Sequence, residues 1–162
     1  MIVKTTPINI FDTEAKHIAF AINSEGYNDA GFAGVVAKKY WNELLYCGEN
    51  EIGTVLSKTI GDKTYHALVC HSLNNGWGDN QREIIKELFD KIPSNGEMIS
   101  SIAIGTGFVG MMTGAKFGQI VCGMQDSKQN IELCCELSLN AINSFYEDEN
   151  AAVKKKSDDL KN

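Results

Sequence analysis

The stretch HIAFAINSEGYNDAGFAGVVAKKY, residues 17–40, decides the fold because its pattern changes twice. It begins with the apolar run His17–Asn23, which is typical of a strand buried on both faces. A polar, turn-rich segment, residues 24–30, follows the run. Gly31 then opens a segment with helical spacing. A buried strand, a loop and a helix therefore follow one another.

The rest of the chain continues this alternation of strands and helices. The apolar patterns predict strands over 1–10, 17–23, 52–60, 64–71, 98–105 and 130–135, and helices over 35–45, 80–92, 113–126 and 137–146. Gly61-Asp62 predicts a hairpin turn, and Asn80 with Glu83 predicts a capping box. The order indicates an α/β protein with a three-layer α/β/α arrangement, a mixed sheet carrying helices on both faces. We expect one domain, residues 1–146, and a frayed or disordered charged tail, residues 147–162.

Composition narrows the classes of function. The 162 residues are 43% hydrophobic and 22% charged, which is typical of a globular domain. No apolar run approaches the ~20 residues that cross a bilayer, and the N-terminus lacks a signal-peptide pattern, so we expect a cytoplasmic protein with no membrane partner. The net charge of −6 disfavours a long nucleic-acid partner, and Lys154–Lys156 is expected to be a solvated run. The five cysteines show no metal-binding spacing, so we expect reduced thiols and no metal or cofactor.

Two glycine-rich loops follow predicted strands and carry the functional argument. The first contains Gly31-Phe32-Ala33-Gly34, and the second is Gly105-Thr106-Gly107-Phe108-Val109-Gly110. Glycine allows a ligand to approach the backbone, and amides at a helix start favour a phosphate. The alternative is that each loop is a tight turn needed only for packing. GTGFVG also matches a Rossmann pattern, but it lies too late in the chain for that fold.

The order and spacing of these motifs resemble a macrodomain over roughly residues 8–135. The matching segments are Phe11-Asp12, AFAIN (19–23), GFAGVVAKKY (31–40) and SIAIGTGFVG (101–110). The hairpin, GTVLSK (53–58) with KTYHALV (63–69), is most similar to the branch of the terminal ADP-ribose protein glycohydrolase.

The resemblance implies an ADP-ribose site. Asp12 would accept a hydrogen bond from the adenine amino group, and Ile22 and Asn23 would lie beneath the ribose and phosphate. Amides of one loop would hold each phosphate, and Phe108 would shelter a sugar. The residues implied are Asp12, Ile22, Asn23, Gly31, Phe32, Ala33, Gly34, Val35, His71, Thr106, Gly107, Phe108, Val109 and Gly110. The alternatives are a turn aspartate at Asp12, a turn-capping Asn23 and a core Phe108.

The departures from the family pattern concern catalysis. Ala33 stands where common hydrolytic macrodomains carry an aspartate. His71 and Val109 stand where the glycohydrolase branch has a lysine and an aspartate. We therefore expect a non-catalytic protein, which reads ADP-ribosylated macromolecules or sequesters a nucleotide.

Two other functions stay open. One is an ADP-ribosyl hydrolase that uses His71 and Asp29. The other is a protein-binding scaffold that uses the Trp77 loop or the terminal helix. His66 is expected on the strand face opposite to His71, and His17 is expected to be solvated.

Overall fold

The computed structural model describes residues 1–75, 80–102, 114–134 and 138–161, with side chains of the third segment described from Phe117 onward. Its six strands form one sheet in the order β1-β6-β5-β2-β4-β3. The strands are β1 Ile2–Thr6, β2 His17–Asn23, β3 Val55–Ile60, β4 Lys63–His71, β5 Ile99–Ser101 and β6 Ile131–Cys134. The helices are α1 Gly31–Lys39, α2 Gln81–Asp90, α3 Gly114–Asp126 and α4 Leu139–Lys161.

The direction of the strands decides where a site can form. Every neighbouring pair is parallel except β3 and β4, which are antiparallel. Gly61 in the turn between these two has φ +65°, as the predicted hairpin requires. Five strands therefore end at the same edge of the sheet, and loops from that edge lead into helices. In open α/β sheets this edge is where ligands bind.

The two faces of the sheet carry separate apolar cores. In β2, Ile18, Phe20 and Ile22 pack on the face of α1, whereas Ala19 and Ala21 face the opposite core. That opposite core is completed by side chains of α2, α3 and α4. Successive side chains of a strand point to opposite faces of the sheet, and β2 has apolar side chains on both faces. Both faces of the sheet must therefore be covered by helices. The predicted three-layer α/β/α architecture is confirmed.

The C-terminal segment differs from the sequence prediction. The terminal helix was expected to end at Tyr146, with frayed residues after it, but α4 continues to Lys161. Residues 151–161 are all exposed. Ala and Lys are strong helix formers, so the polarity of this segment did not prevent helix formation.

The expectations for His17 and Asn80 were also wrong. His17 is buried rather than solvated, because its Nδ1 lies 2.9 Å from His66 Nε2 on the neighbouring strand. Asn80 does stand at the N-cap of α2, but its side chain makes no capping hydrogen bond, so the capping box with Glu83 is not formed.

The cysteines and the possibility of a membrane-spanning helix were assessed in the described residues. Cys70 and Cys122 are buried free thiols and Cys47 is a partly buried one. Cys134 is also buried, and Cys135 lies outside the described residues. In the described part of the chain, no helix has the length and apolar character that spanning a bilayer requires.

Candidate functional site

A cavity of about 650 Å³ opens at the carboxyl edge of the sheet, between the start of α1 and residues 8–11. The described residues that line it are Ile8, Asn9, Ile10, Phe11, Gly31, Phe32, Val35, Ile102 and Cys134. Most of these side chains are apolar, which suits a flat organic group such as a base. Three of the predicted site residues, Gly31, Phe32 and Val35, therefore share one cavity.

Aromatic rings form one side of this cavity. The Phe11 and Phe32 rings stack with their centroids 5.3 Å apart. Phe20 supports Phe32 from the core, edge to face, at 5.7 Å. This contact joins the cavity wall to β2, so Phe32 is held from two directions.

The start of α1 presents backbone amides at the cavity. Its N-cap residue is Ala30, which provides no side-chain hydrogen bond to the first turn. A helix start without a side-chain cap leaves amide donors for water or a ligand, and the helix dipole favours an anion there. Gly31 has φ +63°, a conformation that favours glycine. A Cβ on Gly34 would come within 2.8 Å of the Asp29 carbonyl carbon, so this glycine permits the tight approach of loop and helix.

Asn23 shapes the loop that leads to α1. Its Oδ1 accepts hydrogen bonds from the amides of Gly26 and Tyr27, at 2.9 and 3.1 Å. Its Nδ2 donates to the Tyr27 carbonyl at 2.6 Å. These contacts use both ends of the buried amide within the turn. The turn-capping interpretation accounts for Asn23, while Ile22 lies buried beneath α1.

A second buried amide, Asn28, completes the same loop. Its Nδ2 donates to the Leu44 carbonyl at 2.9 Å, and its own amide donates to the Leu45 carbonyl at 2.9 Å. Nearby, the loop passes so close to Gly48 that a Cβ on Gly26 would lie 2.2 Å from its carbonyl oxygen. The loop before α1 is therefore held in place before any ligand arrives.

Asp12 lies beside the cavity but faces a different one. It ends a short 3-10 helix, Ile10–Asp12, and its exposed side chain lines a neighbouring cavity of about 460 Å³. Ile8 lines both cavities and separates them. The residue expected to read the base is thus on the polar side of segment 8–12.

A buried carboxylate, Glu132, forms part of that polar cavity. Burial alone would raise its pKa, but hydrogen bonds from Ser100, Thr13, Lys4 and Thr6 outweigh burial and lower the pKa to about 2. With the Lys4 ammonium 3.0 Å away, the carboxylate is ionised and fully engaged in the fold.

His71 lies at the end of β4, opposite Asn23. Burial lowers its pKa, against the raising effect of the Glu25 carboxylate, so the imidazole is neutral at pH 7. Glu25 in turn accepts hydrogen bonds from the Leu73 amide and the Ser72 hydroxyl, which ties the ends of β2 and β4 together. Glu25 also lines a third, open cavity of about 440 Å³.

Several predicted residues are not brought together by the described structure. The second loop, with Thr106, Gly107, Phe108, Val109 and Gly110, lies outside the described residues, as does Trp77. Asp29 is exposed and lines none of the three cavities described above. Within the described residues, no group of three His, Cys, Asp or Glu side chains could hold a metal ion.

Sequence reasoning missed several residues of the cavity wall. Ile102 directly follows β5, and Cys134 is the last residue of β6. Their position at the ends of predicted strands could have indicated that they line the site. Ile8 and Asn9 were expected within a first strand over 1–10, but β1 ends at Thr6 and these two residues follow it.

No family model matches the sequence, and no curated protein matches it. Solved structures do match its fold. The Thermus aquaticus DarG macrodomain has a TM-score of 0.62 at 13% identity, over 85% of this chain and 99% of that one. A mutant Oceanobacillus iheyensis macrodomain with ADPR has a TM-score of 0.58 at 16% identity, over 93% of this chain and 92% of that one.

An alphavirus chain matches over 95% of this chain, with a TM-score of 0.58 and 13% identity. Our chain spans only 24% of that longer protein. At these identities the likeness concerns the fold, and it confirms the fold that the glycine loops indicated.

Proposed function

Because this chain has the macrodomain fold, we propose that it binds ADP-ribose, or a nucleotide that contains it, at the 650 Å³ cavity. The observation that supports the proposal best is that the apolar cavity borders the start of α1, where no side chain caps the backbone amides. A base fits the first feature and a phosphate fits the second. The Oceanobacillus structure with ADPR supports a ligand of this class.

Each part of the ligand has a proposed location. The amides of Gly31, Phe32 and Ala33 receive one phosphate, because the helix dipole and the missing side-chain cap favour an anion there. The loop Thr106–Gly110 receives the other phosphate, as the resemblance implies. The base lies against Phe11 and the Phe32 ring.

We further propose that binding occurs without catalysis. Ala33 carries no group that acts as a base or nucleophile, and Asp29 does not line the cavity. The protein would then sequester a free nucleotide or read an ADP-ribosylated macromolecule in the cytoplasm. His71, like Asp29, is absent from the described lining of the cavity, and its neutral imidazole is capable of acid–base chemistry, so hydrolysis through it is the outcome that the activity test must address.

Calorimetric titration with ADP-ribose, AMP and NAD tests the proposal. We expect ADP-ribose to bind, and a parallel assay on an ADP-ribosylated protein to show no released ADP-ribose. Release that disappears in His71→Gln would establish the hydrolase instead. Absence of heat with all three nucleotides would refute nucleotide binding at this site.

A matched pair of variants tests the phosphate position. Val35 begins the second turn of α1, lines the cavity and is 38% exposed, so polar side chains fit there. Val35→Glu should weaken ADP-ribose binding at least about tenfold, because its carboxylate opposes the diphosphate. Val35→Gln has nearly the same shape without the charge, and it should weaken binding by less than about threefold. Equal effects of the two variants would place the phosphates elsewhere.

A further inference from the structure

Segment 8–12 lies between two cavities, of which only the second has ionisable carboxylates among its described lining. On one side lies the largely apolar 650 Å³ cavity, which Asn9 lines. On the other side lies the 460 Å³ cavity, which Asp12, Glu14 and Glu132 line. Asn9, rather than Asp12, is therefore positioned to meet a base in the 650 Å³ cavity.

The amide of Asn9 has a defined orientation. Asn9 is the N-cap of the 3-10 helix, and its Oδ1 accepts a hydrogen bond from the Phe11 amide at 3.0 Å. This bond distinguishes oxygen from nitrogen in a group whose two ends are otherwise hard to assign. The Nδ2 group is therefore the end that is turned away from the cap. No described residue accepts a hydrogen bond from it.

An outward N–H donor restricts the identity of the purine less than a carboxylate does. A carboxylate accepts a hydrogen bond from the 6-amino group of adenine, whereas an amide N–H donates to the 6-oxo group of hypoxanthine or to N7 of either purine. Within the described lining, the only other polar side-chain atom is the thiol of Cys134, which is a weak hydrogen-bonding group. The described lining therefore has no side-chain acceptor reserved for a 6-amino group.

We propose that Asn9, and not Asp12, is the side chain that reads the base, and that the site accepts 6-oxo purine nucleotides about as well as adenine nucleotides. The inference rests on the proposed nucleotide binding and names the ligand class of the same cavity. The ligand is then a purine nucleoside diphosphate ribose whose base is not restricted to adenine.

The experiment compares ADP-ribose with its hypoxanthine analogue, inosine diphosphate ribose, by calorimetry. Wild-type protein, Asn9→Asp, Asp12→Asn and the double variant are titrated with both ligands. Asn9→Asp keeps the oxygen that caps the Phe11 amide and replaces the donor with an acceptor. The double variant moves one carboxylate across the segment at constant net charge, which controls for repulsion of the diphosphate.

The ratio of the two dissociation constants is the readout. We expect wild type and Asp12→Asn to bind the hypoxanthine ligand no more than threefold more weakly than ADP-ribose. Asn9→Asp and the double variant should each shift the ratio about tenfold toward ADP-ribose, the size of one hydrogen bond gained or lost.

Two results would overturn the inference while nucleotide binding itself stands. One is a tenfold wild-type preference for ADP-ribose that disappears in Asp12→Asn. The other is the same ratio in all four proteins. Absence of binding of either ligand to wild type would overturn the proposed function together with the inference, so the two failures are distinguishable.

Discussion

The two ends of strand β2 are held by different chemistry. At its carboxyl end, the amides of Asn23 and Asn28 order the loop that leads to α1. At its amino end, the imidazole of His17 pairs with that of His66, whose Nδ1 lies 2.6 Å from the Ser57 hydroxyl. Amides do not titrate in the physiological range, whereas imidazoles do.

Because only the amino end of β2 titrates, a change of pH should affect the stability of the sheet without changing the geometry of the site. Burial, with a further contribution from His17, lowers the pKa of His66 to about 4, so the His66 imidazole is neutral at pH 7. Mild acid should therefore destabilise the sheet at its amino end while the loop before α1 keeps its internal hydrogen bonds. The following predictions test this division, beginning with the largest effect.

Gly26→Ala should disrupt the loop at the carboxyl end of β2. Gly26 has φ +82°, and an added Cβ would lie 2.2 Å from the Gly48 carbonyl oxygen, so both the conformation and the space oppose a side chain. We expect a loss of roughly 3 kcal/mol or more in unfolding free energy, and at least a tenfold loss of ADP-ribose affinity. Urea denaturation and calorimetry measure the two effects.

Gly61→Ala is the matched control for that change. Gly61 also has positive φ, at +65°, but an added Cβ would meet nothing within 4 Å. Gly61→Ala should therefore lower the unfolding free energy by only about 1 kcal/mol, which is the strain of the backbone conformation. It should leave the ADP-ribose affinity unchanged. Equal costs for the two variants would show that the loop yields to the Gly26 side chain and is less rigid than we infer.

The pH dependence of stability tests the amino end. The ordinary pKa of His66 is 6.5 and its folded pKa is about 4, so the unfolded chain binds more protons between these values. Stability is therefore lost as pH falls from about 6.5 towards 4. Between pH 7 and pH 5 the loss from this group should be about 2 kcal/mol, by proton linkage. Urea denaturation at the two pH values measures it.

His66→Gln should remove most of that pH dependence, because no imidazole remains to be protonated at this position. His71→Gln is the control, since the pKa of His71 is also lowered by burial but the residue lies at the other end of β4. The interpretation fails if His66→Gln keeps the full difference between pH 7 and pH 5. Glu132 interferes little, because its effect on stability falls between its ordinary pKa of 4.5 and its folded pKa of about 2, below the interval from pH 7 to pH 5.

Much of the fold could be predicted from local patterns. The boundaries of β2 follow directly from its apolar run, and the turn at Gly61 follows from its sequence. The burial of His17 could not be predicted, because it depends on pairing with His66, 49 positions later in the chain. A polar residue at the start of a strand looks solvated until the neighbouring strand is known.

The site was predictable to a similar extent. Glycine at positions 31 and 34 indicated the helix start that borders the cavity. The opposite wall combines Asn9, Ile102 and Cys134, which come together only when three strand ends meet. Asp12 was expected at the site from the resemblance alone, which contained no information on which of the two cavities Asp12 lines.

Removal of residues 151–162 should have the smallest effect, because neither end of β2 depends on them. Residues 151–161 of α4 are exposed, and a short helix without tertiary contacts contributes almost nothing to stability in water. We expect a change below about 0.5 kcal/mol in urea denaturation and unchanged ADP-ribose affinity. Ile142→Ala, at a fully buried position of the same helix, is the contrasting variant and should cost about 2–4 kcal/mol. A truncation cost above 1 kcal/mol would mean that the end of α4 packs on the domain, and the domain would then extend beyond the expected boundary at residue 146.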